Sequence, residues 1–407
     1  MTISPHTSSV TLESIQEAAK LLDRIARVTP IESSRALEAF TGTKTYLKCE
    51  NLQRSGSFKV RGAYVRMARL SDEEKSRGVI AASAGNHAQG VALAAAALGI
   101  PAVVYMPAGA ALPKIAATRE YGAEVRLYGT NVDESLAEAQ AEADRTGATF
   151  IHPFNHPDVI VGQATVALEI LEQVPDVRTV LAPVGGGGLV AGLVAAFAAI
   201  APQVEVVGVQ ATRASAYTYS LQAGHPVTFP AQSTMADGIA VSTPGDVPFD
   251  IIARHNTRIV NVSEEDISRA LVFMAERAKL VVEPAGVTGV AALIAKPGQF
   301  DGPVVSLLSG GNIDPNILLR VVRHGLVAAG RFLVMKVRLI DRPGALAQML
   351  FDLASQQANI MHVDHVRTGV DLAIDEVEVT MQVETKGPQH CQELLEFMRS
   401  KGYNLSS

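Results

Sequence analysis

The sequence predicts an α/β fold with parallel sheets, followed by a smaller domain of strands and helices. Between residues 78 and 209, short β-branched runs are followed by alanine-rich helical stretches, the pattern of βα units on a parallel sheet. Beyond residue 330, apolar and polar residues alternate as they do in half-buried strands. Aromatic residues make up only 5% of the chain and tryptophan is absent, which favours α/β packing over an aromatic-rich β-sandwich.

The βα units follow one another along the first part of the chain. The first predicted strand covers residues 78–82 and leads to a helix at 88–98. A second strand at 179–183 leads to a helix at 189–200, and a third strand covers 204–209. Each short apolar run is followed by a longer helical pattern, so we expect the strands to lie parallel.

The last segment predicts a βαββαβ order, which is the ferredoxin-like arrangement. Its clearest strands are 332–339 and 375–384, with a strand-like run at 360–366 between them. One helix is expected after the turn Asp341-Arg-Pro-Gly344, and a final helix covers 389–401. The pattern therefore predicts a small separate domain at the end of the chain.

Size and charge narrow the class of protein. A chain of 407 residues exceeds the size at which one core usually stops growing, so we expect a domain at 1–328 and a second at 331–407. The net charge of −6 leaves no basic stripe, which argues against nucleic acid and anionic membranes as main partners. Small molecules are the expected ligands.

Cysteine usage and the N-terminus predict a cytoplasmic protein. Cys49 and Cys391 lie far apart and outside any metal-binding spacing, so neither a disulfide nor a zinc site is expected. The first residues lack the basic start and apolar core of a signal peptide. The longest apolar run, 188–201, is shorter than the roughly 20 residues that a membrane helix needs.

Lys59 stands in the small-residue segment Ser55–Gly62. Glycine and serine around a lysine allow an aldehyde cofactor to approach its amine, as a Schiff-base lysine requires. The alternative is a solvated lysine in a polar loop. The choice between these two interpretations depends on the other motifs.

Four consecutive glycines, Gly185–Gly188, join a predicted strand to a predicted helix. Exposed N–H groups at a helix start favour an anion, so a phosphate is the expected occupant. The run 186–191 also satisfies the relaxed dinucleotide pattern G-x-G-x-x-A, but Gln210 rather than an acidic residue closes the next strand, which disfavours a dehydrogenase. Close strand-to-helix packing is the alternative role of these glycines.

Two further loops carry polar groups. The loop Ser83–Gly90 suits a carboxylate; within it Asn86 can donate to a phenolate oxygen, and His87 is interpreted as structural rather than catalytic. Ser309 follows another apolar run. An amine, a phosphate site, an amide and a hydroxyl together are the contacts that pyridoxal phosphate needs.

The motifs Ser57–Ala63, Ser83–His87, Gly185–Leu189 and Ser309–Asn312 resemble those of fold-type II pyridoxal phosphate enzymes. Within that group they look like the threonine/serine dehydratases, or threonine ammonia-lyases, over roughly residues 15–325. The resemblance implies a tryptophan synthase β-like fold of two parallel-sheet subdomains, the smaller at about 52–155. It also implies conversion of L-threonine to 2-oxobutanoate and ammonia, with L-serine giving pyruvate, as in isoleucine biosynthesis.

The resemblance assigns roles to individual residues. Lys59 carries the cofactor and takes the Cα proton, and Phe58 stacks on the pyridine ring. The remaining cofactor contacts are Asn86 with the 3-oxygen, Gly185, Gly186, Gly187, Gly188 and Leu189 with the phosphate, and Ser309 with the ring nitrogen. The substrate residues are Ser83, Ala84, Gly85, Asn86 and His87 around the carboxylate, with Gly238 and Glu283 on the far wall.

Three alternatives remain beside the dehydratase. Serine racemases resemble this chain but carry a second serine in the substrate loop, where this chain has Ala84, and some relatives hold a metal with acidic residues where Gln210 and Ala216 stand. We therefore expect no metal. A hydroxyaspartate ammonia-lyase and a non-enzymatic amino-acid sensor on the same fold are the other two.

Residues 331–407 resemble an ACT domain, an amino-acid-binding module of many metabolic enzymes, and Asp341-Arg-Pro-Gly-Ala-Leu346 matches its first turn. The resemblance implies a regulatory site near Asp341 and Gly344 for an effector such as isoleucine or valine. A module that only dimerises the enzyme is the alternative, and RNA recognition is disfavoured by the slightly negative charge of the segment. A homodimer or homotetramer is expected.

Overall fold

A computed structural model describes residues 10–230, 232–367 and 372–406. The chain divides into two compact units, Met1–Leu318 and Leu319–Ser407. The division falls inside a helix, Pro315–Ala328, and the first strand of the second unit begins at Phe332. The predicted domain limits, 328 and 331, therefore lie at the end of this helix rather than at the division itself.

Strands and helices alternate through the first unit and into the second. The described strands are β1 (Ile31–Ser33), β2 (Thr45–Lys48), β3 (Val79–Ala82), β4 (Ala102–Met106), β5 (Glu124–Leu127), β6 (Thr149–Phe150), β7 (Thr179–Pro183), β8 (Glu205–Ala211), β9 (Arg258–Val262), β10 (Val304–Leu307), β11 (Phe332–Ile340), β12 (Asn359–Val366), β13 (Glu376–Glu384) and β14 (Asn404–Ser406).

The described α-helices are α1 (Leu12–Leu21), α2 (Arg35–Thr41), α3 (Lys59–Ala68), α4 (Asp72–Arg77), α5 (Asn86–Leu98), α6 (Leu112–Glu120), α7 (Val132–Thr146), α8 (Pro157–Gln173), α9 (Gly188–Ile200), α10 (Ala216–Ala223), α11 (Asp246–Arg254), α12 (Glu264–Phe273), α13 (Thr288–Ala295), α14 (Pro315–Ala328), α15 (Ala345–Ser355) and α16 (Pro388–Ser400). None of these helices is both long and apolar enough to cross a bilayer.

The first unit contains two sheets. The larger has the strand order β1-β2-β10-β7-β8-β9 and is parallel except for the β1–β2 pair. The smaller has the order β5-β4-β3-β6 and is parallel throughout. The predicted α/β class with parallel sheets is confirmed.

The core of the first unit lies around helices α8 and α9. Nine of the 13 residues of α9 are buried, which explains its alanine- and valine-rich sequence without a polar face. Gly192 lets α9 approach α8, because a Cβ at this position would lie 2.7 Å from the carbonyl oxygen of Ile160. This close packing holds the start of α9, and with it the glycine loop, in a fixed position.

The second unit is an antiparallel sheet with the order β12-β13-β11-β14. Its core contains Met335, Val337 and Val379 from the strands, together with Met349 and Leu394 from α15 and α16. The element order is βαββαβ, as the alternating pattern of the sequence predicts. Leu333, which alternates along β11 with the buried Met335 and Val337, is only half-buried near the start of the strand.

Candidate active site

A cavity of about 780 Å³ opens in the first unit where the carboxyl ends of the strands from both sheets meet. The loops after β3, β7 and β10 line it, as does the start of α3. Ligands of open parallel sheets bind outside the carboxyl ends of the strands. The position of the cavity is therefore the one that an α/β enzyme uses for its chemistry.

Lys59 is the first residue of α3 and points its amine into this cavity. Its Nζ donates a hydrogen bond to the carbonyl oxygen of Pro153 at 3.0 Å and lies 5.2 Å from the centre of the Phe58 ring. Burial lowers the pKa of Lys59 to about 8, although the Glu283 carboxylate acts in the opposite direction. A neutral amine is the nucleophilic form, so this environment prepares Lys59 to react with an aldehyde.

Buried ion pairs hold helix α3 in place. The Nε and Nη2 atoms of Arg61 each donate to the carboxylate of Glu50 at 2.8 Å, and Nη1 lies 2.7 Å from Oε1 of Glu169. Lys48 Nζ donates to the other oxygen of Glu169 and to the carbonyl oxygen of Thr29. Arg61 stands two positions after Lys59 on α3. Because bidentate pairs allow little variation in geometry, this network fixes the start of the helix.

The glycine loop, Gly185–Gly188, leads directly into α9 and has no space for side chains. A Cβ at Gly186 would lie 2.3 Å from the ring of Phe154, and one at Gly187 would lie 1.8 Å from Oη of Tyr217. Gly187 also has φ +99°, a conformation that favours glycine. The bare backbone of the loop lines the cavity, so its N–H groups are free of side chains that would cover an anion.

Asn86 lies on the cavity wall and takes part in a chain of side-chain hydrogen bonds. Its Nδ2 donates to Oε1 of Glu283 at 2.5 Å, and Asn312 Nδ2 donates to its Oδ1 at 2.9 Å. Burial, with the nearby Asp237 carboxylate, raises the pKa of Glu283 to about 7. The carboxyl group is therefore partly protonated near neutral pH.

Both cavity histidines are held neutral. The Nε2 atom of His87 makes a 2.8 Å hydrogen bond with the carbonyl oxygen of Ile151, and burial beside Lys59 lowers the pKa of His87 to about 3. Burial beside Lys59 likewise lowers the pKa of His152 to about 4, and its Nδ1 accepts from the backbone N–H of Asn155. Through these hydrogen bonds to the backbone, the two neutral rings hold the loops around Lys59.

One cavity brings together the site residues expected in the first unit. Its walls include Phe58, Lys59, Ser83, Ala84, Gly85, Asn86, His87, Gly185, Gly186, Gly187, Gly188, Leu189, Gly238, Glu283 and Ser309. Asp341 and Gly344 belong to the second unit, where Gly344 has φ +89° and precedes α15.

Gln210, at one of the two positions where no metal is expected, uses its side chain within the fold. It donates to the carbonyl oxygen of Ala214 and accepts from the N–H of Thr218. Within residues 10–230, 232–367 and 372–406, no group of three or more histidine, cysteine or acidic side chains is arranged to hold a metal ion.

Residues 22–310 match the family model of the pyridoxal-phosphate dependent enzymes. The chain belongs to this family. The enzyme is 44% identical over 97% of its length to a protein named L-threonine ammonia-lyase from Thermotoga maritima, of which the match covers 99%. The predicted dependence on pyridoxal phosphate is thereby confirmed.

Two solved structures resemble about three quarters of this enzyme. The processed form of threonine deaminase isoform 2 from Solanum lycopersicum has a TM-score of 0.72 and 36% identity, covering 77% of this chain and 94% of its own. A serine racemase from maize has a TM-score of 0.73 and 33% identity, covering 78% of this chain and 98% of its own. Backbone similarity therefore does not separate a deaminase from a racemase.

The cavity of this enzyme fits pyridoxal phosphate. Lys59 provides an amine of lowered pKa for the aldehyde, and the glycine loop provides a bare helix start for the phosphate. Phe58 lies beside the amine, and Asn86 and Ser309 supply an amide and a hydroxyl on the same walls. Donors and apolar surface thus match each part of the cofactor.

Several residues around the cavity were absent from the expected site. Phe154 on the cavity wall and the fully buried Tyr217 behind it enclose the glycine loop, while Lys114 and Asp237 form an ion pair on the cavity wall. Asp237 directly precedes Gly238, which was expected at the substrate site, so its position was the nearest to a sequence signal. Lys114 lies in a stretch without any such signal.

Proposed function

We propose that this enzyme is an L-threonine ammonia-lyase that converts L-threonine to 2-oxobutanoate and ammonia and also converts L-serine to pyruvate. The observation that carries the proposal is the similarity to a protein of that name over almost the whole chain. The cavity supports it, because Lys59 is positioned for proton transfer and neither His87 nor His152 is charged near neutral pH.

In the proposed elimination, the cofactor and Lys59 have different roles. Pyridoxal phosphate, when bound, supplies the aldehyde that condenses with the substrate amine and the ring that withdraws electrons from Cα. Lys59 is the base that removes the proton at Cα, because its lowered pKa makes the neutral amine available. Loss of the Cα proton and the β-hydroxyl group, followed by hydrolysis, gives the 2-oxo acid and ammonia.

The walls of the cavity orient the substrate. The backbone of the Ser83–His87 loop, at the start of α5, suits the substrate carboxylate, since N–H groups at a helix N-terminus attract anions. Ser309 offers a neutral hydroxyl where a carboxylate would hold a proton on the pyridine nitrogen. A weaker electron sink favours elimination over transamination, which agrees with an ammonia-lyase.

Ala84 argues against racemisation. Serine racemases resemble this chain but carry a serine at this position, from which the opposite face of Cα is reprotonated. Ala84 lines the cavity and has no group that transfers a proton. Lys59 then transfers protons at only one face of the substrate Cα, and elimination is the expected outcome.

One assay tests the proposed function. The holoenzyme is supplied separately with L-threonine, L-serine and L-threo-3-hydroxyaspartate, and ammonia and 2-oxo acid are measured. We expect the highest kcat/KM with L-threonine and no product with Lys59→Ala. A holoenzyme that shows the absorbance of bound cofactor but releases no ammonia from threonine would refute the proposal and favour the sensor hypothesis.

The second unit is proposed to be an ACT-like regulatory domain of a cytoplasmic homodimer or homotetramer. Its βαββαβ order supports this assignment, and the backbone at Gly344 is open because a Cβ there would meet nothing within 4 Å. A branched-chain amino acid such as isoleucine or valine is the proposed effector near Asp341 and Gly344. Calorimetry and activity measured during titration with each amino acid test it; no heat and unchanged activity would exclude a regulatory role.

A further inference from the structure

The cavity contains a second lysine that the proposed chemistry does not use. Lys114 lies in the first turn of α6, and its Nζ is 3.2 Å from Oδ2 of Asp237. Helix α6 packs with the smaller sheet through Ile115, whereas Asp237 precedes Gly238 on the opposite side of the cavity. The ion pair therefore joins two walls of the substrate site.

The Lys114 ammonium lies beside the Ser83–His87 loop. A Cβ at Gly85 would be 3.9 Å from Lys114 Nζ, and the lysine side chain is only 16% exposed. This cation is therefore within reach of a carboxylate on a bound amino acid. Its charge is balanced by Asp237, so the pair as a whole presents no net charge to the substrate.

Asp237 also acts on the rest of the cavity. Burial is the main cause of the raised pKa of Glu283, and the charge of Asp237 adds to it. Among the described residues that line the cavity, the carboxylates are Asp133, Asp237 and Glu283. A substrate with a second carboxylate would find the nearby ammonium of Lys114 already engaged by Asp237.

The geometry points to Asp237 as a specificity-determining residue. By occupying Lys114, it favours hydroxy amino acids with an uncharged side chain, such as threonine and serine, over 3-hydroxyaspartate, whose side chain ends in a carboxylate. Removing the charge of Asp237 frees the ammonium to pair with that carboxylate. The inference rests on the proposed ammonia-lyase function and assigns the substrate class of the same site.

Four holoenzymes test this role: wild type, Asp237→Asn, Lys114→Met and the double variant. For each, kcat/KM is measured with L-threo-3-hydroxyaspartate and with L-threonine. The first value is divided by the second, and this ratio is compared among the four enzymes. We expect Asp237→Asn to raise the ratio about tenfold, equivalent to about 1.4 kcal/mol. The double variant should lose this gain, because the freed ammonium is absent.

Binding without turnover provides a second measurement. L-aspartate and L-2-aminobutyrate lack the β-hydroxyl group, so their dissociation constants report the same preference through the absorbance of the bound cofactor. Asp237→Asn should improve the binding of L-aspartate relative to L-2-aminobutyrate by the same factor. This comparison remains informative even if the wild-type enzyme fails to eliminate from threonine, which would count against the proposed function alone.

Asp133→Asn is the matched control, since Asp133 is another cavity carboxylate and the ion pair described for Lys114 is with Asp237. It should change the preference less than about threefold, or 0.7 kcal/mol. An unchanged ratio in Asp237→Asn would overturn the inference. So would a gain that persists in the double variant, or an equal gain in Asp133→Asn. Since Asp237 is 57% exposed, its substitution should not impair folding, and Asp237→Ser provides a second charge-removing variant.

Discussion

The lowered pKa of Lys59 predicts how fast the protein without cofactor captures pyridoxal phosphate at different pH values. With a pKa of about 8 instead of 10.5, the neutral fraction of the amine at pH 7 is about 300-fold larger than for an ordinary lysine. Between pH 7 and 9 the neutral fraction of Lys59 should rise about tenfold, whereas that of an ordinary lysine should rise about a hundredfold. The shape of the pH profile therefore distinguishes the two.

The assay follows covalent capture by absorbance in stopped-flow mixing. Nα-acetyllysine is measured in parallel, because dividing by its profile removes the ionisations of the cofactor itself. Glu283→Gln should move the midpoint further down, since the Glu283 charge raises the pKa of Lys59. A hundredfold rise between pH 7 and 9, parallel to that of Nα-acetyllysine, would refute the assignment of Lys59 as a desolvated nucleophile.

Three further predictions concern the glycine loop, the buried network and Ala84. Gly187→Ala should weaken cofactor binding at least about tenfold (~1.4 kcal/mol) in equilibrium dialysis. Gly224→Ala is the control and should leave binding unchanged, because Gly224 also has a positive φ but an added Cβ there would meet nothing within 4 Å. Arg61→Met should lower the free energy of unfolding in urea by about 3–5 kcal/mol, because the buried Glu50 carboxylate loses its ion-pair partner. Arg77→Met, which removes an exposed ion pair with Glu73, should lower the free energy of unfolding by less than about 1 kcal/mol. Ala84→Ser should yield D-serine from L-serine by chiral chromatography; unchanged products would remove Ala84 as the reason for preferring elimination.

The Arg61 prediction has a defined pH dependence. Burial alone would raise the pKa of Glu50, but the Arg61 guanidinium outweighs it and holds this pKa below 4.5. A carboxyl group of lowered pKa contributes stability above its unfolded pKa, and this contribution is lost as pH falls through the folded value. The difference between wild type and Arg61→Met should therefore be full near neutral pH and shrink below pH 4.5.

Local patterns predicted the elements around the cofactor closely. The strand at Thr179–Pro183 has the predicted limits, and α9 begins at Gly188, one residue before the predicted helix. These limits are encoded locally, since β-branched residues, a proline and consecutive glycines follow one another. The sequence could not specify that Phe154 and Tyr217 enclose the glycines, because those contacts depend on segments far apart in the chain.

The chemistry of Lys59 was likewise only partly predictable. The small residues around it suggested access for an aldehyde, but the low pKa arises from burial in the folded chain, where Arg61 pairs with Glu50 and Glu169 on the helix that Lys59 begins. The partners of Arg61 stand 11 and 108 positions away in the chain, and periodicity does not connect them. A motif identifies which atoms react, whereas the fold determines their protonation state.

The ion pair between Lys114 and Asp237 depends on the fold more than on any local pattern in the sequence. Lys114 alone has the sequence context of an ordinary surface charge, and Asp237, which precedes the expected substrate residue Gly238, stands 123 positions further along the chain, beyond the glycine loop. Their pairing across the cavity arises only because the smaller sheet places α6 opposite the turn at Gly238. If Asp237→Asn admits 3-hydroxyaspartate and the double variant does not, substrate choice in this enzyme depends on a long-range ion pair. The catalytic motifs would then define the reaction, and a contact outside them would define which hydroxy amino acid undergoes it.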